Sequence, residues 1–251
     1  MQEAGRCQNG PSRNLLVEQV DLNIAENVER VRERIQSACR RSGRAFEEVR
    51  LVAVSKTKPA EAIRQAYAAG LREFGENRVQ EAAAKRQELE DLAAVWHLIG
   101  HLQSNKAKSA CRLFNWIHSV DSPHLAEKID REAAAIGRKM PVLIEVHLGE
   151  EESKFGVEED DLARMVEGIA RLPALELRGL MTLPPFFDDP ENARPFFRRL
   201  RELAERIAAR NLAGVQMREL SMGMSHDFEV AIEEGATIVR VGTAIFGERR
   251  R

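Results

Sequence analysis

The sequence predicts an α/β fold, a single (β/α)8 TIM-type barrel with an extra helix on its N-terminal side. Short apolar runs that read as buried strands recur eight times, and a helical pattern separates each from the next. The length of 251 residues is about what one such barrel uses. Parallel neighbours need a helical crossover, so strict alternation implies a parallel sheet, and eight repeats imply that it closes on itself. A doubly wound open sheet of the same elements is the alternative.

The first twenty residues are polar, contain Gly5, Gly10 and Pro11, and lack the apolar stretch of a secretory signal. Glu3 and Glu18 argue against a transit peptide. Segment 1–20 is therefore expected to be a flexible tail, and 21–251 the barrel. Leu22, Ile24, Val28, Val31 and Ile35 follow at helical spacing, which predicts an amphipathic helix ending near Gly43. Strands are expected at 50–55, 73–75, 95–100, 116–120, 142–148, 177–182, 219–222 and 237–241. Helices are expected at 59–69, 78–89, near 104–110, and at 123–136, 160–171, 191–209 and 228–234. Segment 184–190 is proline-bounded and reads as a loop within one domain.

Composition narrows the function. Apolar residues make up 43%, enough for a substantial core, and 38 basic against 40 acidic side chains leave a formal charge of -2. That balance gives no electrostatic reason to expect nucleic acid or an anionic membrane as partner. Cys7, Cys39 and Cys111 form no CxxC pair, which points to a reducing, cytoplasmic setting rather than a disulfide framework or zinc knuckle. No apolar run approaches the roughly 20 residues that span a bilayer. Arg194, Arg198, Arg199, Arg201, Arg206 and Arg210 alternate with Glu202 and Glu205 and read as the solvated face of one helix.

Chemistry in a barrel gathers at the C-terminal ends of its strands. The first strand runs directly into Lys56-Thr57-Lys58-Pro59. Strand parity puts Lys56 on the face of Val52 and Val54, so it points into the mouth if those side chains fill the interior. Lys58 shares that parity but adjoins Pro59 and reads as a surface residue. A lysine has a pKa of about 10.4, so only roughly one in 2,500 is neutral at pH 7. Burial depresses that pKa and favours imine formation with an aldehyde. Position alone leaves open that Lys56 simply reaches solvent over apolar neighbours.

Barrels often bind phosphate in the loops after strands seven and eight. Ser221-Met222-Gly223-Met224-Ser225 follows the seventh strand, and Arg240-Val241-Gly242-Thr243-Ala244 closes the eighth. Glycines let main-chain N–H groups approach an anion, and the hydroxyls of Ser221 and Thr243 add donors. Ordinary turn chemistry would use the same residues. Both loops in the expected places, with a lysine at strand one, make the more specific pattern.

These stretches, together with Phe74-Gly75-Glu76-Asn77, His97-Leu98-Ile99-Gly100-His101-Leu102-Gln103-Ser104-Asn105-Lys106, Arg178-Gly179-Leu180-Met181 and the run to Gly247, resemble the pyridoxal phosphate homeostasis protein family over about residues 22 to 248. That family's fold resembles the N-terminal barrel of alanine racemase. The resemblance implies that Lys56 forms a Schiff base with pyridoxal 5′-phosphate. It implies that Ser221, Gly223, Gly242 and Thr243 surround the phosphate, that Arg240 faces the pyridine nitrogen and that Asn77 lies near the ring. An arginine there cannot give up a proton, so the ring stays a poor electron sink.

A two-base racemase needs a second acid/base opposite the lysine. In alanine racemase relatives a tyrosine of a separate C-terminal domain supplies it, whereas this sequence ends soon after the eighth strand. Its single tyrosine, Tyr67, falls on the helix after strand one. The expectation is a cofactor holder without catalysis of its own, acting as a monomer that meets apo-enzymes transiently. A racemase or related Schiff-base enzyme using Lys56 is the second reading. A metal-dependent hydrolase built on His97, His101, His118 and His147 is the third, although no carboxylate stands at ligand spacing. The resemblance and the sequence leave Gln103 to Lys106 without a role.

Overall fold

A computed structural model of the protein describes residues 23–149 and 155–248, so the expected tail 1–20 and Cys7 lie outside the described residues. The strands are Arg50–Val54 (β1), Glu73–Glu76 (β2), Val95–Leu98 (β3), Trp116–Val120 (β4), Met140–Glu145 (β5), Leu175–Met181 (β6), Val215–Ser221 (β7) and Ile238–Val241 (β8). They form a closed barrel in sequence order, and β1 pairs in parallel with β8 through Val52 opposite Arg240. The open-sheet alternative is excluded.

The helices are Ile24–Ser42 (α1), Ala60–Ala68 (α2), Val79–Glu88 (α3), Ala107–Leu113 (α4), Pro123–Ala134 (α5), Glu159–Ile169 (α6), Arg194–Ala208 (α7), Phe228–Glu233 (α8) and Thr243–Phe246 (α9). The helix after β8 is thus a single turn, too short to cover its side of the barrel. α1 fills that place. Asn23 caps its start by accepting from Glu26 N, and Gly43 ends it in the left-handed region at φ 68°. Its buried stripe of Val28, Val31, Ile35 and Ala38 faces the barrel, each such aliphatic side chain larger than alanine contributing about 1.5–3 kcal/mol. On one flank Arg34 pairs with Glu229 of α8 at 2.7 Å and Arg41 with Glu233 at 2.7 Å. On the other, Arg32 donates to the Ala69 carbonyl, while Asn27 donates to Ile245 O of α9 at 2.8 Å. The expected extra helix is therefore a closing member of the helical ring.

Strand parity sorts the interior. Ala53, Phe74, Leu98 and Ile117 face outward into the apolar layer beneath the helices. Val52, Leu143, Met181 and Ile238 face inward as a separate, fully buried cluster. At the N-terminal floor of the barrel Arg50 sits 3.1 Å from Glu219 and 3.8 Å from Glu73, over the Trp116 ring.

Of two expectations about surface residues one changes, that for Lys58, while the arginines keep a solvated face. The arginines of α7 reach across to neighbouring helices: Arg194 to Glu233 and Glu234 of the α8 end, Arg199 and Arg206 to Glu159 of α6. Lys58 is a partly buried clamp whose ammonium donates to the carbonyls of Phe246 at 2.7 Å and of Gly247 and Glu248 at 3.0 Å. It ties the end of β1 to the end of α9 by satisfying the helix's last carbonyls. Cys39 and Cys111 are buried free thiols.

Candidate ligand-binding site at the barrel mouth

The C-terminal ends of the strands enclose a recess of about 460 Å³ lined by Val54, Lys56, Asn77, Arg240, Gly242 and Thr243 on one side. Leu183, Phe186, Met224 and His226 form its outer wall. The size falls within the range of small-molecule sites, about 300–1,000 Å³. Lys56 is half-buried, where the inward parity of Val52 and Val54 put it.

The backbone that carries Lys56 is held from behind. Thr57 adopts φ 67°, a left-handed conformation that β-branched residues avoid unless their surroundings enforce it. Its N–H donates to Glu81, and Glu81 is paired with Lys85 at 2.7 Å. Lys85, itself buried, also donates to the Ser55 carbonyl and to Glu76, each at 2.7 Å, while Ser55 Oγ donates to the same Glu76 oxygen at 2.6 Å. Burial pushes the Glu76 carboxyl up, with Lys85 and Ser55 pulling it back. The sequence reading missed this clamp, although charged residues inside a buried strand-and-helix period were a signal for it.

Asn77 is set by a close approach. A Cβ on Gly100 would lie 2.6 Å from the Asn77 carbonyl oxygen, so only glycine lets the end of β3 pass. Ser119 Oγ holds the Gly100 carbonyl at 2.7 Å.

Arg240 is 3% exposed and donates to Ser221 Oγ at 2.6 Å and to the Thr182 carbonyl at 2.9 Å. Among the described residues no carboxylate lies within ion-pair distance of it. Burial lowers its pKa to about 10, with Asp227 and Glu145 acting in the opposite direction from farther off. Such a group remains a cation and a donor only. Two bonds leave part of a five-donor fork facing the recess, which suits an acceptor on a bound ring. Glu145, also missed in sequence, is inward-facing on β5. Burial and the charge of Asp121 push its carboxyl up to about 7, against Arg240 and His147.

In the loops after β7 and β8 two amides converge: Gly242 N and Ala244 N donate to Ser225 Oγ at 3.0 and 3.3 Å. That hydroxyl oxygen shows that the turn presents its N–H groups to one oxygen, the arrangement an anion requires. Gly223 stands at φ 88°, and a Cβ there would meet Ala231 Cβ at 2.6 Å, so it lets the loop close against α8. Lys56, Asn77, Arg240, Gly242 and Thr243 are brought together on one recess. Ser221 and Gly223 are not on its lining: Ser221 is fully buried, its hydroxyl engaged by Arg240 and His118.

The histidines do not converge. His97 and His118 bond to each other inside the barrel, His101 pairs with Asp121 at 3.0 Å, and His147 with Glu158 at 3.0 Å. Among the described residues no three metal-ligating side chains come together. Tyr67 packs under Arg72 on α2, away from the recess. Lys106 lines a second, polar recess of about 550 Å³ with Arg78, His101 and Gln103, adjoining Asn77.

Comparison with known proteins agrees with this architecture. Residues 23–250 match the family described as alanine racemase, N-terminal domain. The chain is 49% identical to the pyridoxal phosphate homeostasis protein of Aquifex aeolicus over 229 residues, covering 91% of this chain and all of the relative. It is 46% identical to the protein of that name from Pseudomonas aeruginosa, covering 90% of this chain and 96% of the relative. Among solved structures, PipY of Synechococcus elongatus with pyridoxal phosphate bound superposes with a TM-score of 0.80 at 43% identity, covering 89% of this chain and 100% of PipY. Alanine racemase of Clostridium difficile superposes with a TM-score of 0.69 at 14% identity over 91% of this chain and 57% of the racemase, a likeness of fold.

Proposed function

The chain belongs to the pyridoxal phosphate homeostasis protein family, and from that premise we propose that it holds pyridoxal 5′-phosphate at the barrel mouth as a Schiff base on Lys56 and releases it to apo-enzymes. The observation that carries the reading is one recess with a half-buried lysine on one strand end and a donor-only arginine on another. Bound there, the cofactor supplies an aldehyde, which an amine takes up reversibly with loss of water.

Each residue then has a task. Lys56 is the amine, kept in place by the left-handed Thr57 and the Lys85 clamp. Arg240 donates toward the ring nitrogen and offers it no proton to keep. Asn77 borders the ring. Gly242 and Thr243 meet the phosphate, joined by Ala244 N and Ser225, which the sequence reading had not assigned. Ser221 and Gly223 act from behind, the first on Arg240 and the second on the loop. We place this work in the cytoplasm, in a monomer; among the described residues no helix is long and apolar enough to cross a membrane.

Holding rather than catalysis is supported by the three outer-wall side chains Leu183, Phe186 and Met224, none of which offers a proton. One wall residue favours the second reading. His226 donates from Nε2 to the Asp188 carbonyl at 3.0 Å, leaving Nδ1 as a possible base for a racemase-type exchange. Two measurements separate the readings. Holo-protein mixed with an apo-transaminase should deliver cofactor faster than spontaneous loss. Amino acids deuterated at Cα should keep their label; steady loss that vanishes in Lys56→Ala would make the protein an enzyme.

A further inference from the structure

A line of buried polar side chains crosses the barrel from the mouth to the floor. Arg240 Nη1 lies 2.6 Å from Ser221 Oγ, Ser221 Oγ 2.9 Å from His118 Nδ1, and His118 Nε2 3.0 Å from His97 Nδ1. His97 Nε2 then stands 3.0 Å from Glu73 Oε2, a close but poorly aligned contact. Ser221, His118 and His97 are fully buried. The chain joins β8, β7, β4, β3 and β2.

Its two ends independently fix the direction of every proton. A guanidinium can only donate, so Ser221 Oγ accepts from Arg240, and its own proton goes to His118 Nδ1, the only other partner of that hydroxyl among the described residues. His118 therefore carries its proton on Nε2 and gives it to His97 Nδ1. His97 in turn carries its proton on Nε2, facing the Glu73 carboxylate. The opposite order would aim a lone pair of His97 at Glu73 and leave the serine proton without an acceptor. Both imidazoles are neutral: burial lowers the pKa of each, for His118 well below the usual histidine value. Glu73 is ionised, because His97 and Arg50 outweigh the burial that would raise it.

We propose that His118, with Ser221 and His97, is a positioning relay that fixes the Arg240 guanidinium from behind through a one-way hydrogen-bond chain whose last imidazole faces the Glu73 carboxylate. This deepens the reading of the mouth as a cofactor site and rests on it for the identity of the group that Arg240 meets. No proton can climb such a chain to the ring, since every link points to the floor and the uppermost member accepts none. Arg240 thus meets the ring as an immobile donor.

Histidine tautomers, read by ¹⁵N NMR on the protein without cofactor, test the chain itself. The expected result is Nε2-protonated, neutral His97 and His118; an Nδ1-protonated or charged form of either overturns the proposal. The link to the site is tested with cofactor and two variants, His118→Phe, which keeps bulk but breaks the chain, and His118→Asn, whose amide oxygen can still accept from Ser221. His118→Phe should keep the borohydride-fixable chromophore on Lys56, shift its absorption, and lose cofactor roughly five- to tenfold faster, the worth of one buried hydrogen bond. His118→Asn should recover much of that loss. If His118→Phe does not fold, Glu73→Gln at the floor, a side chain only 23% exposed, replaces it, and should change the His97 tautomer and shift the chromophore at the mouth. Unchanged spectrum and release in the folded variant overturn the relay. A parent protein with no chromophore at all would instead refute the cofactor reading, with the NMR result still deciding the chain.

Discussion

Lys85 Nζ donates to the main-chain carbonyl of Ser55 at 2.7 Å, fixing the peptide that leads into Lys56 from a helix thirty residues away. The same ammonium neutralises the fully buried carboxylate of Glu76. Removing one partner of such a pair leaves an uncompensated charge in the interior, whereas removing both can be nearly neutral.

Lys85→Met is therefore expected to destabilise the barrel by about 3–5 kcal/mol. The double variant Lys85→Met, Glu76→Gln should recover most of the loss. Urea unfolding of the three proteins measures this. A single variant as stable as the parent would show that Glu76 is already neutral in the fold.

Glu145 predicts a pH dependence of the opposite kind. Its folded carboxyl is pushed up to about 7 from the ordinary glutamate value of 4.5 by burial first and Asp121 second. Between those values the folded chain holds a proton that the unfolded chain does not, so the contribution is present at low pH and lost as pH rises through 7. Glu145→Gln should match the parent near pH 4 and exceed it by at most about 3 kcal/mol near pH 9. Urea midpoints of both proteins across that range check it, and a gap that shrinks with pH would reverse the sign.

His97 and His118 act in the reverse sense. Burial lowers both, so below the ordinary value of 6.5 the unfolded chain takes up protons that the folded barrel refuses. In the Glu145→Gln background, where that opposing contribution is gone while the raised carboxyls of Glu76 and Asp227 still oppose the effect, stability should fall by at most about 2 kcal/mol between pH 6.5 and 5.5. Carboxylates held below their usual range, such as Glu73, enter only at lower pH. Comparing urea midpoints at the two pH values is enough, and a flat response would mean that the histidine pair is already protonated.

The strands were legible because a strand covered on both faces leaves a short apolar run between turns, and even Glu73-Phe74-Gly75 proved to be one. Lys56 was legible because parity from Val52 and Val54 is a local property. The relations that arm the site are not local. Ser221 looked like an anion donor in its loop, yet the hydroxyl is turned inward by Arg240 and His118, which lies 103 residues away. Ser225, in the same loop, holds the amides instead. Lys58 read as a surface residue because nothing near Pro59 reveals the three carbonyls that arrive from residues 246–248. The place of α1 in the helical ring likewise depends on a one-turn α9, which no periodicity could register.

Lys56 and Lys58 give the sharpest contrast, since they are two residues apart and of one parity, yet Lys56 lines the recess and Lys58 does not. Lys58 donates to Phe246 O, Gly247 O and Glu248 O, so Lys58→Ala strips the end of α9 of its shared donor. Loss of those bonds should cost about 1–3 kcal/mol. Because Lys58 is directed away from the recess, the protein should still form a borohydride-fixable chromophore with pyridoxal phosphate. Lys56→Ala should abolish that chromophore while the barrel still unfolds in one cooperative transition. Peptide mapping after borohydride treatment, with urea unfolding of both variants, separates the two roles. A chromophore that survives in Lys56→Ala and disappears in Lys58→Ala would transfer the covalent role to the second lysine, and with it the geometry argued for the mouth.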